Sequence, residues 1–137
     1  MADPQIMLIE SLMERNPGAV RNNYLNPTRC LDAEARYRGK LVPLCISTWC
    51  TDGETDYHVS TVRHRGPEAD EEVTAHYTYS GTNGVWTHDV YLGGVLSTDP
   101  AWREEERHRA PLEPHEFTEL EMLLATARVI QSPGVTT

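Results

Sequence analysis

The segment 73–92 constrains the fold more than any other part of the chain. Two runs, 73–80 and 85–92, alternate apolar and polar residues and flank Gly81-Thr82-Asn83-Gly84. A period of two sends successive side chains to opposite faces of a strand, and a glycine-bearing turn reverses the chain between two such strands. With Ser80 opposite Val85, Tyr79 faces Trp86, Tyr77 faces His88, Ala75 faces Val90 and Val73 faces Leu92. Thr74, His76, Thr78, Thr87, Asp89 and Tyr91 then share the other face. A slip of one residue would exchange the two faces, so burial of the aromatic face fixes the register. A sheet with one apolar face must be covered, which asks for helices elsewhere in the chain.

A second alternating pair, 41–50 and 56–65, flanks Thr51-Asp52-Gly53-Glu54, whose Asp-Gly is a hairpin signal. Pairing Cys50 with Thr55 puts Val42, Leu44 and Ile46 on one face with Tyr57 and Val59. Pro43 falls on the other face and predicts an edge strand or a bulge. The helices come from the two ends. Asp3 is an N-cap, Pro4 suits the first helical position, and Ile6, Ile9, Leu12 and Met13 form a stripe before Asn16-Pro17-Gly18, giving a helix over 3–15. Residues 19–40 read as an irregular arm carrying Arg29, Arg36 and Arg38. Thr98-Asp99-Pro100 opens a short helix over 99–109. Phe117, Leu120, Leu123, Leu124, Ala127 and Ile130 stripe a longer one over 114–131. The expected architecture is α+β: one domain over 1–137, with a four-stranded antiparallel meander in 41–92 packed against N-terminal and C-terminal helices.

Charge bounds the partners. The chain has 137 residues, 12 Lys and Arg against 21 Asp and Glu, and a formal net charge of −9. The imbalance is uneven: residues 1–40 hold six basic and five acidic side chains, residues 67–137 four and thirteen. Such a half repels phosphate backbones and attracts basic surfaces, so direct nucleic-acid binding is not expected. No apolar run is long enough for a membrane helix. Cys30, Cys45 and Cys50 make no complete disulfide set, which fits free thiols in a reducing cytoplasm. The leading expectation is a small acidic, non-enzymatic binding protein. It would be an inhibitor, immunity or regulatory factor, as phage-encoded inhibitors are, docking on a basic protein surface such as a nucleic-acid-binding site. Glu68, Asp70, Glu71, Glu72, Glu104, Glu105 and Glu106 would carry the contact. An exposed sheet edge also leaves a homodimer open.

The alternative expectation is a small-ligand-binding protein or compact enzyme using His58, His76, His88 and Asp89. In the register above His76 stands opposite Asp89, and a carboxylate beside an imidazole fixes its tautomer and raises its basicity. His88 lies on the apolar face between Trp86 and Val90. His58-Val59-Ser60 and His76-Tyr77-Thr78 each resemble the His-x-Ser/Thr signature of the 2H phosphoesterases, a likeness that covers six residues. The copies are 18 residues apart, whereas that family places them on two separate lobes far apart in sequence. There is no HExxH, no phosphate-binding glycine loop and no Gly-x-Ser-x-Gly elbow. The enzyme reading therefore has no anchor residue, and neither a metal nor a cofactor is expected.

Overall fold

The computed structural model describes residues 3–23, 28–37, 39–65, 71–92 and 105–130. In chain order these form α1 (Pro4–Arg15), β1 (Arg21–Asn23), β2 (Thr28–Tyr37), β3 (Lys40–Thr51), β4 (Glu54–Arg65), β5 (Glu71–Ser80), β6 (Val85–Leu92), β7 (Glu105–Pro111), α2 (Pro114–Ala125) and β8 (Arg128–Val129). Strands β1 to β7 lie side by side in sequence order, and β8 joins the outer edge of β2. The expected α+β class stands, but the sheet has eight strands rather than four.

Both hairpins have the register their alternation dictates. Ser80 pairs with Val85 and His76 with Asp89; Cys50 pairs with Thr55. The Asp52-Gly53 turn has φ of 53° and 81°. Two positive values suit the twist of the flanking strands, and Asp and Gly tolerate them best. The apolar face of the sheet, built on Leu31, Leu44, Ile46, Val59 and Tyr77, is buried together with Ile9 and Leu12 of α1 and Leu120 and Leu123 of α2. Asp3 starts α1: its Oδ1 accepts from the backbone N–H groups of Gln5 and Ile6 at 2.9 and 3.1 Å. Its Oδ2 accepts from Trp86 Nε1 at 3.0 Å, so the cap also ties the helix to β6.

Four expectations need correction. The arm over 19–40 is not irregular; it holds β1 and β2, with Leu31, Ala33 and Ala35 buried in alternation. Alanine is a poor strand former, and the outward positions are charged, so the pattern is faint until β3 pairs with it. The proposed helix over 99–109 is not found. Residues 99–104 lie outside the described residues, and Glu105–Pro111 is β7, which occupies the edge of β6. That stretch offered no apolar stripe to hold a helix against the sheet, whereas an open strand edge supplies backbone partners. The C-terminal helix stops at Ala125, not 131. Thr126 ends it by donating its hydroxyl to the Met122 carbonyl at 2.8 Å and accepting from the Arg36 N–H at 3.0 Å. Arg128 and Val129 then pair with Glu34 and Ala33, on the part of β2 that β1 does not cover. Finally, Pro43 lies on an interior strand without a bulge. It sits one residue outside the β3–β4 ladder, whose last pair is Leu44–Thr61, so its missing N–H faces no strand partner.

Candidate functional site

The face of the sheet opposite the helices gathers the polar side chains. Strand registers align them in rows. One row runs Cys30, Ser47, His58, Thr78 and Thr87; the next runs Asp32, Cys45, Ser60, His76 and Asp89. A polar sheet face is ordinarily solvated, yet His76 and Asp89 here are buried, at 8% and 2% exposure. The hydroxyls of Thr74 and Thr78, on either side of His76 along β5, are buried and make no hydrogen bond. A buried hydroxyl without a partner costs about 1–3 kcal/mol of desolvation, so this face carries uncompensated polarity.

His58 and His76 meet directly. His76 Nδ1 lies 3.2 Å from His58 Nε2, so one proton is shared between them. Their rings stack at 5.1 Å and 27°, and the half-exposed Trp49 leans on His58 at 5.9 Å. The two His-x-Ser/Thr segments stand reciprocally across β4 and β5, with His58 opposite Thr78 and Ser60 opposite His76. They share one sheet rather than two lobes. The imidazoles bond each other instead of standing on either side of a substrate. Ser60, His76 and Asp89 are also the residue types of a nucleophile triad, in register on adjacent strands. The nitrogen that an orienting carboxylate would take, Nδ1, is committed to His58. Ser60 sits mid-strand between two paired neighbours, where backbone N–H groups serve the ladders rather than an oxyanion hole.

His88, expected in the same site, is not part of it. It lies on the helix-facing side, 3% exposed, with its ring stacked on Tyr77 at 4.3 Å. Its Nδ1 is 3.0 Å from the His76 carbonyl, which can only accept, so Nδ1 carries a proton. Its Nε2 faces Glu116 Oε2 at 3.5 Å, while Glu116 Oε1 accepts from the Glu113 N–H at 2.9 Å. This histidine fastens α2 to the sheet.

A groove of about 380 Å³ lies over the same polar face. Asp32, Pro43, Cys45, Ser60, Val62 and Thr74 line it, with Ala33, Leu44, Thr61 and Ile130. Ser60 and Thr74 place it beside His76. Burial pushes the Cys45 thiol up, and the neighbouring Asp32 carboxylate pushes it further, so the thiol stays protonated. Asp32 Oδ2 accepts from Arg21 at 2.7 Å in a pair exposed to solvent. A smaller cavity of about 240 Å³ beside α1 contains Glu10 and Arg29. There Arg29 grips both oxygens of Glu10, at 3.0 and 2.8 Å, and Tyr57 donates to Glu10 at 2.5 Å. Those charges are already satisfied. Cys30, Cys45 and Cys50 are all free thiols.

Sequence reasoning placed Thr74 on this face but missed Cys45, Ser60 and Trp49, because hairpin patterns give no alignment between one hairpin and the next. Of the acidic residues expected to bind a partner, Glu68, Asp70 and Glu104 lie outside the described residues. Glu71 and Glu72 open β5, and Glu105 and Glu106 open β7. Because the start of β5 and the start of β7 both flank the end of β6, these four positions fall at one end of the sheet. Arg65 is the register partner of Glu71, so the end is not purely acidic. Among the described residues no three His, Cys, Asp or Glu side chains converge as metal ligands would, and no helix is long and apolar enough to cross a membrane. No family model, curated protein or solved structure matches the chain.

Proposed function

We propose that this chain is a small-molecule-binding protein whose site is the polar face of β2 to β5. The groove beside His76 carries the reading. Ligand pockets commonly measure about 300–1,000 Å³ and set a few polar groups among apolar walls. Here Asp32, Cys45, Ser60 and Thr74 stand among Pro43, Val62 and Ile130. The residues favour binding over turnover, since among the described residues no activated nucleophile or oxyanion hole accompanies them. A fragment library titrated into isotopically labelled protein should shift amide signals at Cys45, Ser60 and Thr74, together with the His58 and His76 ring signals. A Ser60→Leu variant should fill the groove and abolish those shifts at unchanged melting temperature. Shifts confined to other parts of the molecule, or none at all, would refute the site.

A second reading has one observation behind it. Glu71, Glu72, Glu105 and Glu106 share one end of the sheet of a chain with net charge −9. That end suits docking on a basic protein surface. Proteins retained by this chain at low salt should be lost when these four residues are changed to Lys. Retention of the same proteins by the charge-reversed variant removes this reading.

A further inference from the structure

The groove's own chemistry selects among small molecules, and this step rests on the reading of the groove as a ligand site. Its polar wall is built from a carboxylate, Asp32, a thiol, Cys45, and two hydroxyls, Ser60 and Thr74. Each is neutral or negative, because Cys45 remains a thiol beside Asp32. Its apolar wall is Pro43, Val62 and Ile130. One cation already touches this carboxylate. The Arg21 guanidinium reaches Asp32 Oδ2 at 2.7 Å from the short edge strand β1, with its own side chain 61% exposed. An exposed pair of this kind is worth little and is readily exchanged for another cation. The Thr74 hydroxyl, which makes no hydrogen bond, stands on the same wall. We propose that the groove binds a small organic amine, its ammonium group taking the place of the Arg21 guanidinium on Asp32 and its apolar body lying against Val62 and Ile130.

Three probes of nearly equal size and different charge test this: phenethylamine, 2-phenylethanol and phenylacetate. Binding is read by calorimetry and by amide shifts at Cys45, Ser60 and Thr74. Phenethylamine should bind most tightly and phenylacetate least. Asp32→Asn should weaken the amine by about tenfold, the equivalent of ~1.4 kcal/mol, and leave the alcohol unchanged. Arg21→Ala should do the opposite and tighten the amine by about threefold, as expected for removal of an exposed competing ion pair. A merely structural role for the Arg21–Asp32 pair predicts loss in both variants. Both residues are solvent-exposed, so the variants are expected to fold, and their melting curves check this. Equal or tighter binding of phenylacetate, or amine affinity indifferent to Asp32→Asn, overturns the amine proposal while leaving the groove as a site. No groove shift with any of the three, alongside groove shifts with other fragments, likewise overturns it. No groove shift with any compound overturns the site and the amine together.

Discussion

Asp3 shows how much can rest on one short side chain. One oxygen caps α1 and the other holds Trp86 of β6, a residue 83 positions away. Asp3→Ala should cost about 1–3 kcal/mol in urea unfolding, from a lost cap and an indole N–H left without its acceptor. Asp3→Asn keeps the capping oxygen but turns an amide toward the indole donor, so its cost should fall between wild type and alanine. Equal losses in the two variants would mean that the cap contributes nothing, and an Asp3→Asn variant as stable as wild type would mean that the Trp86 bond contributes nothing. Gly81 is a second such position. A Cβ there would lie 2.5 Å from the Thr55 carbonyl oxygen, a backbone atom that cannot swing aside. Its own N–H donates to Asp56 at 2.6 Å, which docks the β5–β6 turn on the start of β4. Gly81→Ala should therefore destabilise by about 1–3 kcal/mol through overpacking, measured by the shift in urea midpoint. A neutral result would show that the two hairpin ends separate easily.

At the scale of elements, α1 is joined to the sheet by a charge cluster as well as by its apolar stripe. Glu10 of α1 receives Arg29 of β2 and Tyr57 of β4. The Arg29 guanidinium, helped by the Tyr57 hydroxyl and opposed by burial, holds the Glu10 carboxyl below its ordinary value. Burial and Glu10 together push the Tyr57 phenol up. A carboxyl whose folded pKa is depressed stabilises the fold fully above its unfolded pKa, near 4.3. That contribution fades as the pH falls through the lower folded value. Arg29→Gln should thus lose about 0.5–1 kcal/mol at neutral pH, the scale of a partly exposed ion pair after solvent screening. The gap between variant and wild type should narrow in urea unfolding at pH 3. A gap of the same size at both pH values would assign the loss to packing of the arginine stem rather than to charge. The short strand β8 makes a related point: α2 ends at Ala125 so that Arg128 and Val129 reach the open edge of β2.

Across the whole molecule, stability should follow the strand order. β3, β4 and β5 have a paired neighbour on both sides and bury Ile46, Val59 and Tyr77 completely, whereas β1 and β8 are short strands on one edge. Native-state hydrogen exchange should be slowest at these three residues and fastest in β1 and β8, because local opening costs least where few buried contacts break. Uniform protection across the sheet would contradict that gradient. The same distinction between local and global separates what could be read from the chain. Sequence periodicity alone determined the two hairpins, their internal registers, the caps of α1 and the division into an apolar and a polar face, because each depends on residues close in sequence. It did not determine β2, whose Leu31, Ala33 and Ala35 alternate too weakly to stand without β3, nor β7 and β8, which form because β6 and β2 present open edges. Nor did it align one hairpin with the other. Periodicity says which side chains share a face, but the row each occupies is set by the ladder bonds that pair β4 with β5. Only that alignment brought His58 against His76, and set Cys45 and Ser60 in line with His76 beside the groove.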